Sequence, residues 1–254
     1  MVTEVQRLDK ILASTGKWSR REVKQLVRQG RVLANGLPVK TAEEKYDPAH
    51  TVFTVDGENV GYRPVTWLMM NKPGGVLSAT TDGNAPTVLD LLPSELRKIG
   101  LFPVGRLDKD TEGLLLLTDD GDLAHYLLSP RHHVDKQYFT RVSGSLTKED
   151  IALFQRGMVL EDGLHCMPAE LEILKAGEIS EAFVTLREGK FHQVKRMFAA
   201  LGKPVQYLQR VRMGNLTLDS GLKLGEFRFL TSEELGILQK NKIANCNNKL
   251  DTPW

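Results

Sequence analysis

Cysteine is scarce: Cys166 and Cys246 are the two in 254 residues, far apart and in no C-x-x-C spacing. They supply neither a disulfide framework nor a zinc ligand set, and this fits a reducing compartment. His125, His132, His133 and His165 likewise lack metal-ligand spacing, so no metal is expected. No apolar run approaches the roughly 20 residues of a membrane span, and the opening Met1-Val2-Thr3-Glu4 has no apolar core of a leader. These absences lead us to expect a cytoplasmic protein without membrane association. Excess charge is also missing, since 34 Lys and Arg stand against 32 Asp and Glu. A net charge of +2 does not by itself imply a polyanionic partner. Internal repeats and a βαβ rhythm are absent too, which disfavours a parallel, doubly wound sheet.

What is present is ordinary for a globular chain, with 41% hydrophobic and 26% charged residues, enough for a packed core in one large domain or a small one plus a large one. The even charge balance hides a local bias. Between Arg7 and Lys40 there are nine basic residues (Arg7, Lys10, Lys17, Arg20, Arg21, Lys24, Arg28, Arg31, Lys40) against Asp9 and Glu22. Leu8, Ile11 and Leu12 give one apolar face of a first helix. A second helix begins at Ser19 with a capping box closed by Glu22, buries Val23, Leu26 and Val27, and ends at Gly30. Arg21, Lys24 and Arg28 stand three, four and seven apart, opposite the apolar residues, as a basic stripe suited to phosphates. Asn35-Gly36 between two apolar stretches predicts a hairpin. Residues 51–57 alternate as a closing strand, and residues 58–64 read as a connection, with 61–65 as the linker proper.

The stretch that carries chemistry is residues 104–122, V-G-R-L-D-K-D-T-E-G-L-L-L-L-T-D-D-G-D. It sets Asp108-Lys109-Asp110 between Arg106 and an apolar run that reads as a buried strand ended by turn residues. Acidic residues before a strand are ordinary in loops. The sharper reading makes Asp108 a nucleophile oriented by Arg106, Thr111 and the flanking backbone. The D-x-D pair also invites comparison with the D-x-D-x-[TV] loop of haloacid-dehalogenase-like phosphatases. That pattern needs an apolar strand before the first Asp and Thr or Val four positions after it; here Pro103-Val104-Gly105-Arg106 precedes and Glu112 follows, so the match fails twice.

Elsewhere the pattern predicts a strand from Trp67 to Met70 ending at the turn N-K-P-G-G, a short helix over 123–128, and strands over 136–142, 170–174 and 182–186. It also predicts a helix over 145–157 behind a Thr147 cap. In E-G-K-F-H-Q-V-K-R-M-F, a turn runs into a helix whose Val194, Met197, Phe198 and Leu201 form the buried face, with Lys195 and Arg196 outside it. Residues 205–213 read as a strand with Arg210 and Arg212, Thr231 to Glu234 cap a last helix, and residues 241–254 are expected to fray.

Over its whole length, G-R-L-D-K-D-T-E-G-L-L-L-L-T-D-D-G resembles the motif carrying the catalytic Asp in the RsuA-like pseudouridine synthases. N-K-P-G-G, K-Q-Y and G-K-F-H-Q-V-K-R-M-F-A-A resemble further elements of that family, and residues 5–56 resemble an S4 domain, a module that binds structured RNA. The lack of a βαβ rhythm favours an α+β layering on a mostly antiparallel sheet, and the resemblance implies the domain order. An S4-like RNA-binding domain (1–60) is followed by a linker (61–65), a mixed, mostly antiparallel-sheet catalytic domain (66–240) and a tail. It also implies isomerisation of a uridine to pseudouridine in 16S ribosomal RNA without any cofactor, by a monomer acting on ribosomal RNA or an assembly intermediate. Asp108 is then the catalytic residue, Tyr138 stacks on the target base, and the basic residue two after Gln, Lys195, pairs with Asp108. Arg is common at that position in the wider superfamily, so Arg196 is the competing partner. With Arg106 these form the substrate-binding set, and Arg7, Lys10, Arg20, Arg21, Lys24 and Arg28 the RNA-binding set. Whether Asp108 attacks C1′ or C6, or removes the C2′ proton, stays open. The rival classes are an Asp-dependent phosphatase-like hydrolase and a non-catalytic RNA-binding protein.

Overall fold

Leu8, Ile11 and Leu12 recur at helical spacing and are buried along one side of α1 (Leu8–Ala13). The computed structural model describes residues 5–48, 50–61 and 65–247. Helix α2 (Arg20–Arg28) starts at Ser19, whose Oγ accepts from the Glu22 N–H while the Glu22 carboxylate accepts from the Ser19 N–H at 2.6 Å. This reciprocal box satisfies two amides that a helix start otherwise leaves without partners. Val23, Leu26 and Val27 join the α1 residues in one core, completed by β1 (Val32–Ala34) and β3 (Phe53–Val55). Between β1 and β2 (Leu37–Pro38), Asn35 and Gly36 take φ values of 49 and 78, the double positive φ of a type I′ hairpin turn.

Asp56-Gly57 repeats that turn chemistry, with φ 55 and 81, and here the structure departs from expectation. Residues 58–60, which the sequence pattern reads as connecting chain, form strand β4 (Glu58–Val60). It pairs with β3 so that Val60 is buried opposite Phe53. The order of this small sheet is β2-β1-β3-β4. Within the expected linker, residues 62–64 lie outside the described residues. Met1–Thr66 and Leu89–Phe102 form one compact unit, and Trp67–Val88 with Pro103–Trp254 form the other.

The second unit is built on one mixed sheet. Its strands are β5 (Trp67–Lys72), β6 (Glu112–Thr118), β7 (Lys136–Ser143), β8 (Glu170–Lys175), β9 (Ile179–Leu186), β10 (Val205–Met213) and β11 (Phe227–Phe229), in the order β8-β9-β7-β10-β6-β5-β11. Every neighbouring pair is antiparallel except β10 and β6. The helices that accompany it are α3 (Gly121–Leu128), α4 (Lys148–Arg156), α5 (Gln193–Ala200) and α6 (Ser232–Asn247). Helix α6 extends to Asn247 within the expected tail 241–254, and residues 248–254 lie outside the described residues.

The register explains why distant motifs meet. Val184, Tyr138, Arg210, Gly113 and Lys72 are successive partners across β9, β7, β10, β6 and β5, so one row crosses five strands. Residues opposite one another in a sheet share a face. At the centre of this row a Cβ on Gly113, whose φ is 100, would stand 2.3 Å from the Arg210 carbonyl oxygen, so glycine is what allows β6 and β10 to pair. A register shift in β10 falls between the partners of Gln137 and Tyr138, and such irregularities are common beside functional sites. The four leucines 114–117 of β6 are fully buried, which anchors the loop ahead of them.

Candidate active site

Asp108 lies in the loop that feeds β6, and that loop is held from behind by a buried ammonium. Lys72, at the end of β5, is fully buried. Its Nζ donates to the carbonyls of Pro73 (2.9 Å), Asp108 (3.2 Å), Lys109 (3.1 Å) and Thr111 (2.9 Å). Ser78 Oγ donates to the Leu107 carbonyl and accepts from its N–H, and the Gly75 N–H donates to the Lys109 carbonyl. The backbone of residues 107–111 is therefore fixed on both sides of Asp108, and little reorganisation remains for a reacting step. Burial pushes the Lys72 ammonium down to about 8, against the opposing pull of the Asp110, Glu112 and Asp108 carboxylates.

The first turn of α5 brings the cation. Lys195 Nζ stands 3.4 Å from Asp108 Oδ2 and 2.5 Å from Asp110 Oδ1. The hydrogen bond from Lys195 holds the Asp110 carboxyl below the usual carboxylate range. On the other side of Asp108, His192 Nε2 lies 3.7 Å from Oδ1. Arg196, the competing partner, instead pairs with Asp162. The reason is helical: consecutive residues point about 100° apart, so one of the two faces Asp108 and the other cannot.

Asp108, Thr111, Arg106, Tyr138, His192 and Gln193 share a shallow open cleft, closed on its apolar side by Leu107, Leu186, Val194 and Leu208. Tyr138 is buried at 9% exposure and lines the cleft from β7. Thr111 is also buried, and its Oγ1 has no hydrogen-bond partner. Arg106 stands exposed in the cleft wall, while the hydrogen bonds that fix the Asp108 loop come from Lys72, Ser78 and Gly75.

Lys72, Asp110, His192 and Gln193 are not among the site residues expected from sequence. Gln193 is buried, donates to Glu188 Oε1 at 2.6 Å and accepts from the Lys190 N–H, fastening the loop ahead of α5. Met167 N–H, Lys190 and Gln193 together hold the Glu188 carboxyl low, outweighing the upward push of its burial. His192 and Gln193 lie within the G-K-F-H-Q-V-K motif itself, so a signal for them is at hand. Lys72 sits in N-K-P-G-G, which reads locally as a turn; only the carbonyls brought to it by folding reveal its role.

In the N-terminal unit the expected RNA-binding cations divide into two groups. Arg20, Arg21 and Arg28 are exposed on α2, and among the described residues no carboxylate is paired with them; Lys10 is half-buried. Arg7 is clamped by Asp9 (2.8 Å) and touches Glu43 (3.3 Å), and Lys24 is paired with Glu43 at 2.9 Å. The stripe of Arg21, Lys24 and Arg28 is thus neutralised at its middle, because Glu43 lies just past the basic window counted in the sequence.

Comparison with known proteins agrees with this geometry. Residues 66–200 match the RNA pseudouridylate synthase family, and residues 6–52 match the S4 domain. The chain is 49% identical to the uncharacterized RNA pseudouridine synthase YtzG of Bacillus subtilis, over 92% of this chain and 98% of that protein. It is 38% identical to ribosomal small subunit pseudouridine synthase A of Escherichia coli, over 90% and 98% respectively. A crystal structure of a pseudouridylate synthase superposes with a TM-score of 0.64 at 35% identity, covering 92% of this chain and 99% of that one. The chain, with its S4 domain and mixed-sheet unit, therefore belongs to the RNA pseudouridine synthase family and is an RNA-modifying isomerase.

Proposed function

We propose that the chain converts a uridine of small-subunit (16S) ribosomal RNA to pseudouridine with Asp108 as the nucleophile. The observation that carries the assignment is the Asp108 carboxylate at the cleft, with Lys195 at 3.4 Å and His192 at 3.7 Å. The reaction breaks the bond from N1 to the ribose, turns the base and rejoins it through C5, with no net transfer of electrons or groups and hence no need of a cofactor. A carboxylate that attacks must stay ionised in a partly desolvated cleft, and an adjacent ammonium offsets the cost of that desolvation. Lys195 is positioned for this, and Lys72 keeps the loop backbone in place while the base moves.

The target base must leave its stack to reach Asp108, and it then needs a planar face and a hydrogen-bonding edge. Tyr138 supplies the face. Choice of the small subunit is supported by the relatives named for that activity, matched over 90% of this chain. Exposed Arg20, Arg21 and Arg28 of the S4 domain engage phosphates of the same RNA. The protein acts as a cytoplasmic monomer on ribosomal RNA or an assembly intermediate. Mapping pseudouridines in the ribosomal RNA of cells with and without the protein tests the proposal. Loss of one 16S site is expected, and an unchanged 16S map overturns the substrate assignment.

A further inference from the structure

Phe191 is the most exposed large apolar side chain among the described residues of this unit. It is 74% exposed, yet it stands directly ahead of α5 at the rim of the cleft, between Lys190 and His192, which line it. Its ring is stacked on the His192 imidazole at 3.8 Å with an interplanar angle of 17°. One face of Phe191 is thus covered by His192, and its high exposure leaves the other open. The imidazole beneath it reaches to 3.7 Å from Asp108. The two rings therefore form a short stack whose inner end is at the reacting carboxylate and whose outer end faces solvent.

The backbone supports this presentation. His192 takes φ 49 and ψ 32, a left-handed conformation that is costly for a residue with a Cβ and that persists where surrounding structure enforces it. The enforcement comes from the Glu188, Lys190 and Gln193 bonds on either side. An open aromatic face beside basic side chains at the mouth of an RNA-modifying cleft matches one ligand chemistry, a nucleobase of a single strand.

We propose that Phe191, backed by His192, is the stacking platform for the base next to the target uridine. This rests on the reading of Asp108 and Tyr138 as the place of the target base. Once that uridine is flipped toward Asp108, its strand neighbour is left without a stacking partner, and the open face of Phe191 takes that place. The platform is sequence-tolerant, because every base has a π-face, and it holds the strand rather than choosing the uridine.

The test uses the full chain carrying Asp108→Asn and a short oligouridylate with one 5-iodouridine, irradiated in the complex. A covalent adduct on Phe191 is expected. Phe191→Ala should weaken binding of the unmodified oligomer by roughly tenfold, within what stacking of one base supplies, and Phe191→Trp should restore it. Adducts confined to other residues, or an alanine variant that binds like its parent, overturn the platform. Because the readout is binding by an inactive protein, it stands apart from the nucleophile assignment. Uridine isomerisation measured on the parent protein fails or succeeds independently of the adduct.

Discussion

The guanidinium groups on α2 and the cations around Asp108 are handled in opposite ways. On α2, Arg20, Arg21 and Arg28 stand exposed and, among the described residues, without carboxylate partners. In the catalytic unit Lys72 is buried against four carbonyls, Lys195 is bound to Asp108 and Asp110, Lys190 to Glu188 and Arg196 to Asp162. Free surface cations release counterions from a polyanion and so supply affinity that falls with salt. Cations already committed to protein anions and carbonyls supply little of that; they fix geometry. The difference assigns affinity to one unit and chemistry to the other, and it can be broken at several points.

The largest effect is expected at Asp108. Asp108→Asn keeps size and removes the charge, and kcat should fall on the order of 10⁴-fold or more, as for other nucleophiles, while RNA affinity changes little. Residual turnover of purified Asp108→Asn near the parent level, measured by pseudouridine formation, would remove Asp108 from the mechanism. Lys195→Met should cost on the order of 10²-fold in kcat if it stabilises developing charge. The same change on the Asp108→Asn background should cost nothing further, because the two act as one unit.

Lys72 gives the next step down, through position rather than by touching RNA. Lys72→Met removes the ammonium that the carbonyls of residues 73, 108, 109 and 111 share, leaving backbone donors only at 108 and 109, and a shift of the loop by about 1 Å is enough for roughly a 10²-fold loss of kcat. The pH dependence identifies the cause. The folded pKa of about 8 lies below the ordinary 10.5, so between these values the unfolded chain holds the proton more tightly. Stability from this group therefore rises with pH across that window. Its activity contribution runs the other way: loss of one N–H loosens the loop, and kcat should decline above about pH 8 in the parent but not in Lys72→Met. Parallel pH profiles for the two proteins would dismiss the lysine as the source.

This lysine also shows where the sequence stops being readable. The Ser19–Glu22 box, the Asn35-Gly36 hairpin and the leucine run of β6 are written in neighbouring residues, and each forms as its local pattern requires. The mixed, mostly antiparallel sheet follows from the absence of a βαβ rhythm. Lys72 is different, because three of its four carbonyl partners lie 36 to 39 residues away and appear only once β5 pairs with β6. The choice of Lys195 over Arg196 depends on the rotation of α5, which the motif does not encode by itself. Glu43 is invisible to a count of charges that ends at residue 40, although it neutralises the centre of the basic stripe.

A smaller effect, on binding rather than rate, is expected from the exposed arginines. Changing Arg20, Arg21 and Arg28 together to Glu should weaken RNA binding and flatten its salt dependence by roughly one unit of slope for each phosphate no longer neutralised. The rate at saturating RNA should change far less than the apparent affinity. A triple variant with the parent's affinity and salt slope would make α2 an ordinary solvated helix face and end the division of labour between the units.

The smallest change sharpens that division most. Glu43 accepts from Lys24 at 2.9 Å and from Arg7 at 3.3 Å, and its hydrogen bond with Lys24 holds its carboxyl below the usual range. The pairs are surface-exposed, so removing them should scarcely alter folding stability. Their effect on RNA binding should be visible, because the carboxylate cancels a cation in the middle of the α2 stripe and repels phosphate. Glu43→Gln frees Lys24, whereas Arg7 stays clamped by Asp9. The salt slope should therefore steepen by about one unit, not two, and affinity at low salt should rise a few-fold with kcat unchanged. Titrations of parent and Glu43→Gln against the same RNA at several salt concentrations decide the matter. An unchanged slope would mean that Lys24 does not meet a phosphate even when released, and would confine the RNA-facing surface of this unit to the three exposed arginines.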